Sequence, residues 1–250
     1  MRLILTGATG VVGSAALNHI LSLPKGEISA LYILSRSPVP AAENKENVTV
    51  IQHKNFNEYP PELLEKLKGA DGCIWAQGIS QTLVSKEEYI KITLDYPLAA
   101  AEAFSSLSES FNFVYVSGEG ATQSPTFITP LFGRIKGQTE TALLSLSEKY
   151  PSLKPFNVRP AYVDTSNDPA TLKARLARPE QQSLKARSMH AFFGPLMRNV
   201  LTKSDSPTEH LGKFLTDLAR GDGRPLTNQE GVQGSGRIIP NVVFRRIAGL

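Results

Sequence analysis

The chain has 250 residues, of which 41% are hydrophobic and 20% are charged, and 27 Lys and Arg against 23 Asp and Glu give a net charge of +4. This length and composition predict one globular domain with a single large core. The single cysteine, Cys73, excludes a disulfide framework, and the mild positive charge lacks the long basic runs of a nucleic-acid-binding protein. No apolar run is long enough to cross a membrane. We therefore expect a cytoplasmic protein with no nucleic-acid or membrane partner, in which Cys73 is a buried, inert thiol.

Strand-like and helix-like segments alternate along the first two thirds of the chain. Short apolar runs predict strands at residues 3–5, 28–34, 48–52, 72–76, 111–116 and 156–163. Apolar spacing predicts helices at residues 11–23, 61–67, 85–107 and 131–150. Ser85 and Glu88 form a capping-box pattern at the start of the third of these helices, and Pro97 predicts a kink within it. The alternation predicts an α/β fold, a doubly wound parallel-sheet Rossmann fold.

Beyond Asp164 the regular alternation stops. Helices are predicted around residues 189–201, 208–220 and 241–248, with a loop at residues 221–236. We expect a dinucleotide-binding Rossmann core at residues 1–165. Residues 166–250 then form a small, mostly helical C-terminal extension of the same domain, which covers the substrate side of the crevice at the carboxyl ends of the strands.

A glycine-rich turn lies between the first predicted strand and the first predicted helix. Gly7 permits the tight turn, Gly10 lets a pyrophosphate approach the backbone, and Gly13 lets helix and strand pack closely. The free amides and the positive end of the helix dipole then face the anion. The sequence therefore predicts a dinucleotide cofactor, with contacts from Gly7, Thr9, Gly10, Val11, Val12 and Gly13.

The end of the second strand indicates which dinucleotide. A carboxylate at this place would bind both ribose hydroxyls and repel a 2′-phosphate, but the chain has Ser35 and Arg36 here. The Arg36 guanidinium can pair with a phosphate dianion. NADP(H) is therefore favoured over NAD(H), with a solvated loop arginine as the alternative interpretation. Asn55 and Phe56 follow the third strand and are predicted to contact the adenine.

Several motifs together resemble the short-chain dehydrogenase/reductase superfamily, in its atypical, epimerase-like branch. They are Thr6-Gly7-x-x-Gly10-x-x-Gly13, Ala76-Gln77-Gly78 after the fourth strand, Ser117 after the fifth, Lys136 on the next helix, and Arg159-Pro160-Ala161 in the sixth strand. The resemblance covers about two thirds of the chain. It implies further cofactor contacts from Ala76, Gln77, Gly78, Pro160 and Ala161. It also implies that Lys136 holds the nicotinamide ribose and that Ser117 polarises a substrate carbonyl.

The chain departs from that family at the residue that performs the chemistry. The family has a Tyr-x-x-x-Lys pair, whose tyrosine exchanges a proton with the substrate oxygen, but here Phe132 stands four residues before Lys136. A phenyl ring can neither donate nor accept a proton. Tyr162 and Glu119 are the nearest candidates for a replacement, and Tyr115 is a weaker one because it alternates with core residues inside a strand.

We expect an enzyme, and three functions are compatible with these residues. The first is an NADP(H)-dependent oxidoreductase acting on a small organic substrate in specialised metabolism. The second is an NADP(H)-binding isomerase or cyclase without net redox. The third is a catalytically silent NADP(H)-sensing regulator, by analogy with NmrA-like proteins. No metal site is predicted, because the four histidines lack metal-ligand spacing. The oligomeric state is left open.

Overall fold

The structure of the chain is a computed structural model that describes residues 1–176 and 204–250. Its main sheet has seven parallel strands in the order β3-β2-β1-β4-β5-β6-β9. The strands are β1 (Arg2–Thr6), β2 (Ala30–Ser35), β3 (Val48–Gln52), β4 (Gly72–Trp75), β5 (Phe111–Val116), β6 (Leu153–Arg159) and β9 (Ile238–Pro240). Two further strands, β7 (Tyr162–Asp164) and β8 (Asp205–Pro207), form a separate parallel pair.

Helices cover both faces of this sheet. They are α1 (Val11–Ser22), α2 (Pro61–Leu67), α3 (Lys86–Ile90), α4 (Tyr96–Phe104), α5 (Leu131–Lys149), α6 (Pro169–Leu176), α7 (Thr208–Arg220) and α8 (Asn241–Ile247), with a short 3₁₀ turn at Pro40–Ala42. Successive residues of β1 point into two different cores. Leu3 and Leu5 pack with residues of α1, α7 and α8, whereas Ile4 packs with residues of α2, α4 and α5. The predicted doubly wound Rossmann fold is therefore confirmed.

The strand order reverses between β1 and β4, which places a crevice above the carboxyl ends of these strands. Ligands of doubly wound sheets bind in this crevice. The glycine turn follows β1 directly, and the segments after β4 and β5 leave the sheet on the same side. The fold therefore brings together, at one edge of the sheet, most of the motifs that the sequence singles out.

The end of the chain contributes more to the sheet than the sequence indicates. Residues 238–240 form β9, which pairs with β6 and is a strand that the sequence does not predict. Helix α7 confirms the prediction for residues 208–220 and packs closely on α1, where a Cβ on Gly212 would lie 2.5 Å from the Ala15 carbonyl oxygen. The C-terminal residues therefore complete the layers around the sheet.

The sixth predicted strand, residues 156–163, is wrong at both ends. Strand β6 begins at Leu153 and ends at Arg159, and the chain then leaves the main sheet to form β7. Pro160 has no N–H for a sheet ladder, and the next amide, of Ala161, donates instead to the Ser206 hydroxyl at 2.9 Å. The break after Arg159 turns residues 160–164 towards the crevice.

The long helix predicted at residues 85–107 is interrupted near Pro97. The Ser85 hydroxyl accepts from the Glu88 amide at 3.1 Å, which confirms the N-terminal cap. A π turn at Lys91–Asp95 then separates α3 from α4, which ends at Phe104. The irregularity follows from Pro97, whose nitrogen cannot donate to the helix ladder.

The remaining expectations concern the end of the chain, the membrane and metals. Helix α8 confirms the prediction for residues 241–248 to within one residue, and the helix predicted at residues 189–201 lies outside the described residues. In residues 1–176 and 204–250, no helix combines the length and apolar character that a membrane crossing requires. The same residues contain no cluster of three or more His, Cys, Asp or Glu side chains suited to a metal ion.

Candidate functional site

The glycine turn has the geometry of an anion cradle. Gly7 has φ +68°, and a Cβ there would lie 2.4 Å from the Ala76 carbonyl oxygen, so only glycine fits between β1 and β4. A Cβ on Gly13 would lie 2.0 Å from the Gly7 carbonyl oxygen, which keeps α1 tight against the turn. Gly10 caps α1 without a side-chain hydrogen bond, and the first turn contains no acidic residue. The first amides of α1 therefore remain available for an anion.

A first cavity, of about 430 Å³, opens beside this turn and reaches the tips of β2 and β4. It contains no carboxylate among the described residues that line it, and Arg36 is the only cation among them. The Gln77 side chain lies on its wall, and its buried Nε2 has no hydrogen-bond partner in the part of the chain that the structure describes. An unpartnered buried donor of this kind is satisfied by a polar ligand or by water. The predicted cofactor residues that line the cavity are Gly7, Thr9, Gly10, Ser35, Arg36, Phe56, Ala76, Gln77 and Gly78.

Three predicted cofactor residues, Val11, Gly13 and Asn55, line neither this cavity nor the second one described below. Asn55 is exposed, and its side-chain oxygen accepts from the Asn57 amide at 3.3 Å, so it closes a local turn instead of facing the adenine side. Val11 is the first residue of α1 and is likewise absent from the wall. Phe56, in contrast, is buried and forms part of the wall. Ser35 uses its hydroxyl to hold the loop, donating to the Ser37 carbonyl at 2.7 Å.

A second cavity, of about 530 Å³, lies on the side of Val12, where β5 and β6 end. Its wall combines residues of the β5–α5 connection, helix α5 and the segment from Pro160 to β7. The predicted residues that it brings together are Val12, Ser117, Glu119, Lys136, Pro160, Ala161 and Tyr162; Val116, Gly118, Val163 and Ser204 complete the wall. On each side of the glycine turn, therefore, one group of the predicted residues lines a cavity.

Lys136 is half-buried on the wall of the second cavity. Its Nζ donates to the carbonyl oxygens of Val116, at 3.4 Å, and Ser117, at a very short distance. Burial lowers the pKa of Lys136 to about 8, and the Glu140 carboxylate opposes part of this shift. Lys136 is therefore protonated at neutral pH but can lose its proton slightly above it.

A buried polar network lies behind this wall. The Ser117 hydroxyl donates to Glu140 Oε1 at 2.6 Å, and Arg159 donates to both carboxylate oxygens, from Nε at 2.8 Å and from its terminal nitrogen at 2.5 Å. Arg159 also reaches Gln233 Oε1 at 3.2 Å. Glu140 is fully buried, so the bidentate partner and the hydroxyl together compensate for its desolvation.

This network changes the interpretation of Ser117. The predicted role was to polarise a substrate carbonyl, which requires a free hydroxyl hydrogen. That hydrogen is committed to Glu140, and the side chain is 2% exposed. The next residue, Gly118, has no side chain and lies beside Lys136. A Cβ at Gly118 would lie 3.5 Å from Lys136 Nζ. In this arrangement the Ser117 hydroxyl is directed at Glu140, and its carbonyl-polarising role stays a prediction.

Phe132 holds the place of the family tyrosine without lining either cavity. Its amide donates to Gln81 Oε1 at 2.8 Å, and its ring packs against Gly120, where a Cβ would lie 3.3 Å from the ring tip. Tyr115 is buried, its hydroxyl donates to the Thr93 carbonyl, and burial strongly raises its pKa. Tyr115 is therefore no source of protons for the crevice.

The two other proton-transfer candidates both reach the second cavity. Tyr162 begins β7 and is half-buried. Glu119 is exposed, and its Oε2 accepts from the Asn241 amide at the start of α8 at 3.3 Å, a stabilising place for a negative charge. The sequence did not single out Glu140, Gly118 or Gln81. Only Glu140 carries a detectable signal, because it lies one helical turn after Lys136.

Comparisons with known proteins agree with this architecture. Leucinostatins biosynthesis cluster protein T of Purpureocillium lilacinum is 34% identical over 264 aligned positions, which cover 98% of this chain and 94% of that protein. Botcinic acid biosynthesis cluster B protein 16 of Botryotinia fuckeliana is 42% identical over 159 residues, which cover 61% of this chain and 98% of that protein. No known family profile matches the chain.

The solved structures that are similar to this chain share its fold. A short chain dehydrogenase family protein from Francisella tularensis superposes with a TM-score of 0.64 at 14% identity, over 96% of both chains. The reductase domain of PhqB from Penicillium fellutanum superposes with a TM-score of 0.61 at 16% identity, over 87% of this chain and 64% of that chain. The chain belongs to the family of leucinostatins biosynthesis cluster protein T and has the Rossmann fold of the short-chain dehydrogenase/reductase superfamily.

Proposed function

We propose that the protein is an NADP(H)-dependent oxidoreductase that acts on a small organic substrate in specialised metabolism. This proposal rests mainly on one observation: a cavity lies on each side of the glycine turn. One contains Arg36 without a carboxylate, and the other contains Lys136 beside an open backbone at Gly118. A dinucleotide that spans the turn would place its phosphorylated ribose in the first cavity and its nicotinamide in the second.

The residues present fit such a cofactor. The first amides of α1 face the pyrophosphate, Arg36 pairs with the 2′-phosphate, and the unpartnered Gln77 amide offers a donor on the adenosine side. Pro160 and Ala161 border the nicotinamide, and residues 166–250 contribute the substrate side. When bound, the reduced cofactor supplies a hydride. The surrounding residues orient the substrate, exclude water and supply the proton.

The relatives give the proposal its metabolic setting. Two of them are named as members of biosynthesis clusters, for leucinostatins and for botcinic acid, and one of these matches almost the whole chain. We therefore assign this chain a small-molecule substrate and, because its single cysteine is a buried free thiol, a cytoplasmic location.

One observation favours a second candidate function. Phe132 stands where the family has its tyrosine, and the Ser117 hydroxyl is bound to Glu140, so neither hydroxyl of a typical carbonyl reductase faces Lys136. The same scaffold would then bind NADP(H) and catalyse an isomerisation or cyclisation without net redox, or bind the cofactor as a silent sensor.

The test is a turnover assay that follows NADPH binding. The chain is titrated with NADPH by calorimetry and then incubated with NADPH and a panel of ketones, aldehydes and enones, with absorbance read at the NADPH band. Binding followed by oxidation with at least one substrate supports the oxidoreductase. Binding with no oxidation across the panel, but with substrate rearrangement detected by mass spectrometry, assigns the isomerase. Binding with neither favours the sensor, and absence of NADPH binding overturns all three.

A further inference from the structure

The second cavity contains one ammonium group that can bind a substrate oxygen, that of Lys136, on the same wall as Glu119 and Tyr162. An ammonium group has three N–H donors in tetrahedral directions. Two of them are used by the carbonyl oxygens of Val116 and Ser117. The third donor has no hydrogen bond to the described residues, and at Gly118 the absence of a side chain leaves room for an atom at contact distance, 3.5 Å, from Nζ. Lys136 lines the cavity, so its ammonium group is within reach of a ligand bound there.

The two hydroxyl groups that the family places beside this lysine are engaged elsewhere or absent. Ser117 donates to the buried Glu140 carboxylate, Gly118 has no side chain, and Phe132 has no hydroxyl. An oxygen that gains negative charge in a half-buried cavity is costly without a donor. Among the described residues that line the cavity, Lys136 is the only cation.

The charged and titratable groups around Lys136 favour this role. Glu140 lies one turn along α5 and is neutralised by Arg159 of β6, so it orients the network without forming a direct ion pair with Nζ. Glu119, after β5, accepts from the start of α8, and Tyr162 of β7 lies on the same wall. Among the described residues, therefore, no carboxylate forms an ion pair with the Lys136 ammonium.

We propose that the Lys136 ammonium, in place of the tyrosine and serine hydroxyls, is the donor that binds and protonates the substrate oxygen, so that the substrate class is a ketone or enone that forms an alkoxide- or enolate-like oxyanion. This inference rests on the proposed function for the source of the hydride. When a substrate carbon accepts a hydride, the electron pair of the carbonyl π bond moves to oxygen. That oxygen takes a proton from Nζ, and the resulting neutral amine regains a proton from solvent.

An oxyanion probe tests the donor without turnover. Dinitrophenolate is an anion throughout the range from about pH 6.5 to about pH 9.5, so its own ionisation does not change with pH. Its binding to the whole chain is measured by calorimetry with NADP⁺ at saturation, which keeps the probe out of the glycine turn and away from Arg36. At the lower pH, Lys136→Met is expected to weaken binding about tenfold or more, whereas Lys68→Met, at an exposed lysine, leaves it unchanged.

The pH dependence separates a donor from a structural role. Since the pKa of Lys136 is about 8, probe binding to the natural chain falls between the two pH values as the ammonium is lost. Lys136→Arg keeps its charge over the whole range, so its probe binding stays constant with pH. Equal affinity of the natural chain and Lys136→Met overturns the proposal. Loss of binding in Tyr162→Phe with Lys136→Met unaffected assigns the donor to Tyr162 and also overturns it.

The cofactor controls keep the two proposals apart. NADP⁺ binding is titrated first, and its absence overturns the proposed function while the probe is still measured on the protein alone. If NADP⁺ binds and abolishes the part of probe binding that depends on Lys136, the lysine serves the cofactor ribose and the inference is overturned. If that part persists with NADP⁺ bound, Lys136 is free to meet the substrate.

Discussion

In this protein, the residues that determine cofactor binding differ from those that determine the chemistry. Arg36 lies on the wall of the first cavity, at the end of β2, and Phe132 lies outside both cavities. Replacing either side chain therefore affects one property and leaves the other. The choice of cofactor is the property that single residues control most directly.

Arg36→Asp is expected to weaken NADPH binding by about 30-fold or more and NADH binding by no more than about threefold. The reason is that each charge-assisted hydrogen bond to the 2′-phosphate contributes about 1.5–3 kcal/mol, whereas NADH has no phosphate there. Calorimetric titration with both cofactors measures the difference. Arg224→Asp, at an exposed arginine of a distant loop, is the matched control. Equal losses for the two cofactors would show that Arg36 is a solvated loop residue.

The buried Glu140–Arg159 pair is the second residue-scale feature, because it connects Ser117 with the wall that carries Lys136. Glu140→Gln leaves the Arg159 guanidinium buried without its anion, and we expect a loss of about 3–5 kcal/mol in the free energy of unfolding in urea. Glu102→Gln breaks an exposed pair with Lys149 and should cost less than about 1 kcal/mol.

The same substitution also changes Lys136. Glu140 raises the pKa of Lys136, so Glu140→Gln moves that pKa further below about 8, and the midpoint of dinitrophenolate binding shifts to lower pH. An unchanged midpoint would contradict the electrostatic link between the two residues, even if the variant is less stable.

At the level of helices and strands, the π turn before α4 contains a backbone carbonyl, that of Thr93, which accepts hydrogen bonds from side chains of other elements. Pro97 has no N–H, and the Thr93 carbonyl accepts instead from the Tyr115 hydroxyl at 3.3 Å and the Thr139 hydroxyl at 2.9 Å. These bonds join the helix to β5 and α5 across one of the two cores. Thr93 is buried, so these two hydroxyls contribute to satisfying its carbonyl away from water.

Tyr115→Phe and Thr139→Val are each expected to lower the free energy of unfolding by about 0.5–1.5 kcal/mol. The double variant should lose more than the sum, because it removes both hydroxyl donors from the buried Thr93 carbonyl. Thr141→Val removes a bond to a carbonyl of its own helix, on an exposed residue, and serves as the control. A strictly additive double variant would show that another group satisfies the carbonyl. Urea unfolding of the four variants measures these differences.

The elements also show how far the sequence predicts this structure. Residues 208–220 and 131–150 have long amphipathic or capped patterns, and both helices appear within a residue of the prediction. Strand β9 has only three residues and pairs with β6 from far along the chain, so no local pattern identifies it. Ser117 was placed correctly in the crevice, but its hydroxyl direction depends on Glu140, a tertiary contact that spacing does not encode.

At the scale of the whole molecule, the C-terminal part supports the cofactor site from behind. Helix α7 packs against α1, the helix whose first amides would face the pyrophosphate, and their closest approach is at Gly212. The distance of 2.5 Å between a Cβ there and the Ala15 carbonyl oxygen involves backbone, which cannot rotate away. The position of α1 therefore depends on a residue about 200 positions later in the chain.

Gly212→Leu is expected to reduce the free energy of unfolding by about 1–3 kcal/mol or more and to weaken NADPH binding as α1 shifts. Lys213→Ala, on the exposed face of the same helix, should change stability by less than about 0.5 kcal/mol. Urea unfolding and NADPH titration measure both effects. A Gly212→Leu variant with natural stability and natural NADPH affinity would contradict the close packing of α7 on α1.

We expect NADP(H) to span the glycine turn, with its phosphorylated ribose at Arg36 and its nicotinamide beside Lys136. A crystal structure of the whole chain with NADP⁺ would test this arrangement in a single experiment. We expect Arg36 within hydrogen-bond distance of the 2′-phosphate, the pyrophosphate over the first amides of α1, and Lys136 Nζ beside the nicotinamide with one donor still available. A 2′-phosphate in solvent away from Arg36, or a dinucleotide bound elsewhere, would contradict it.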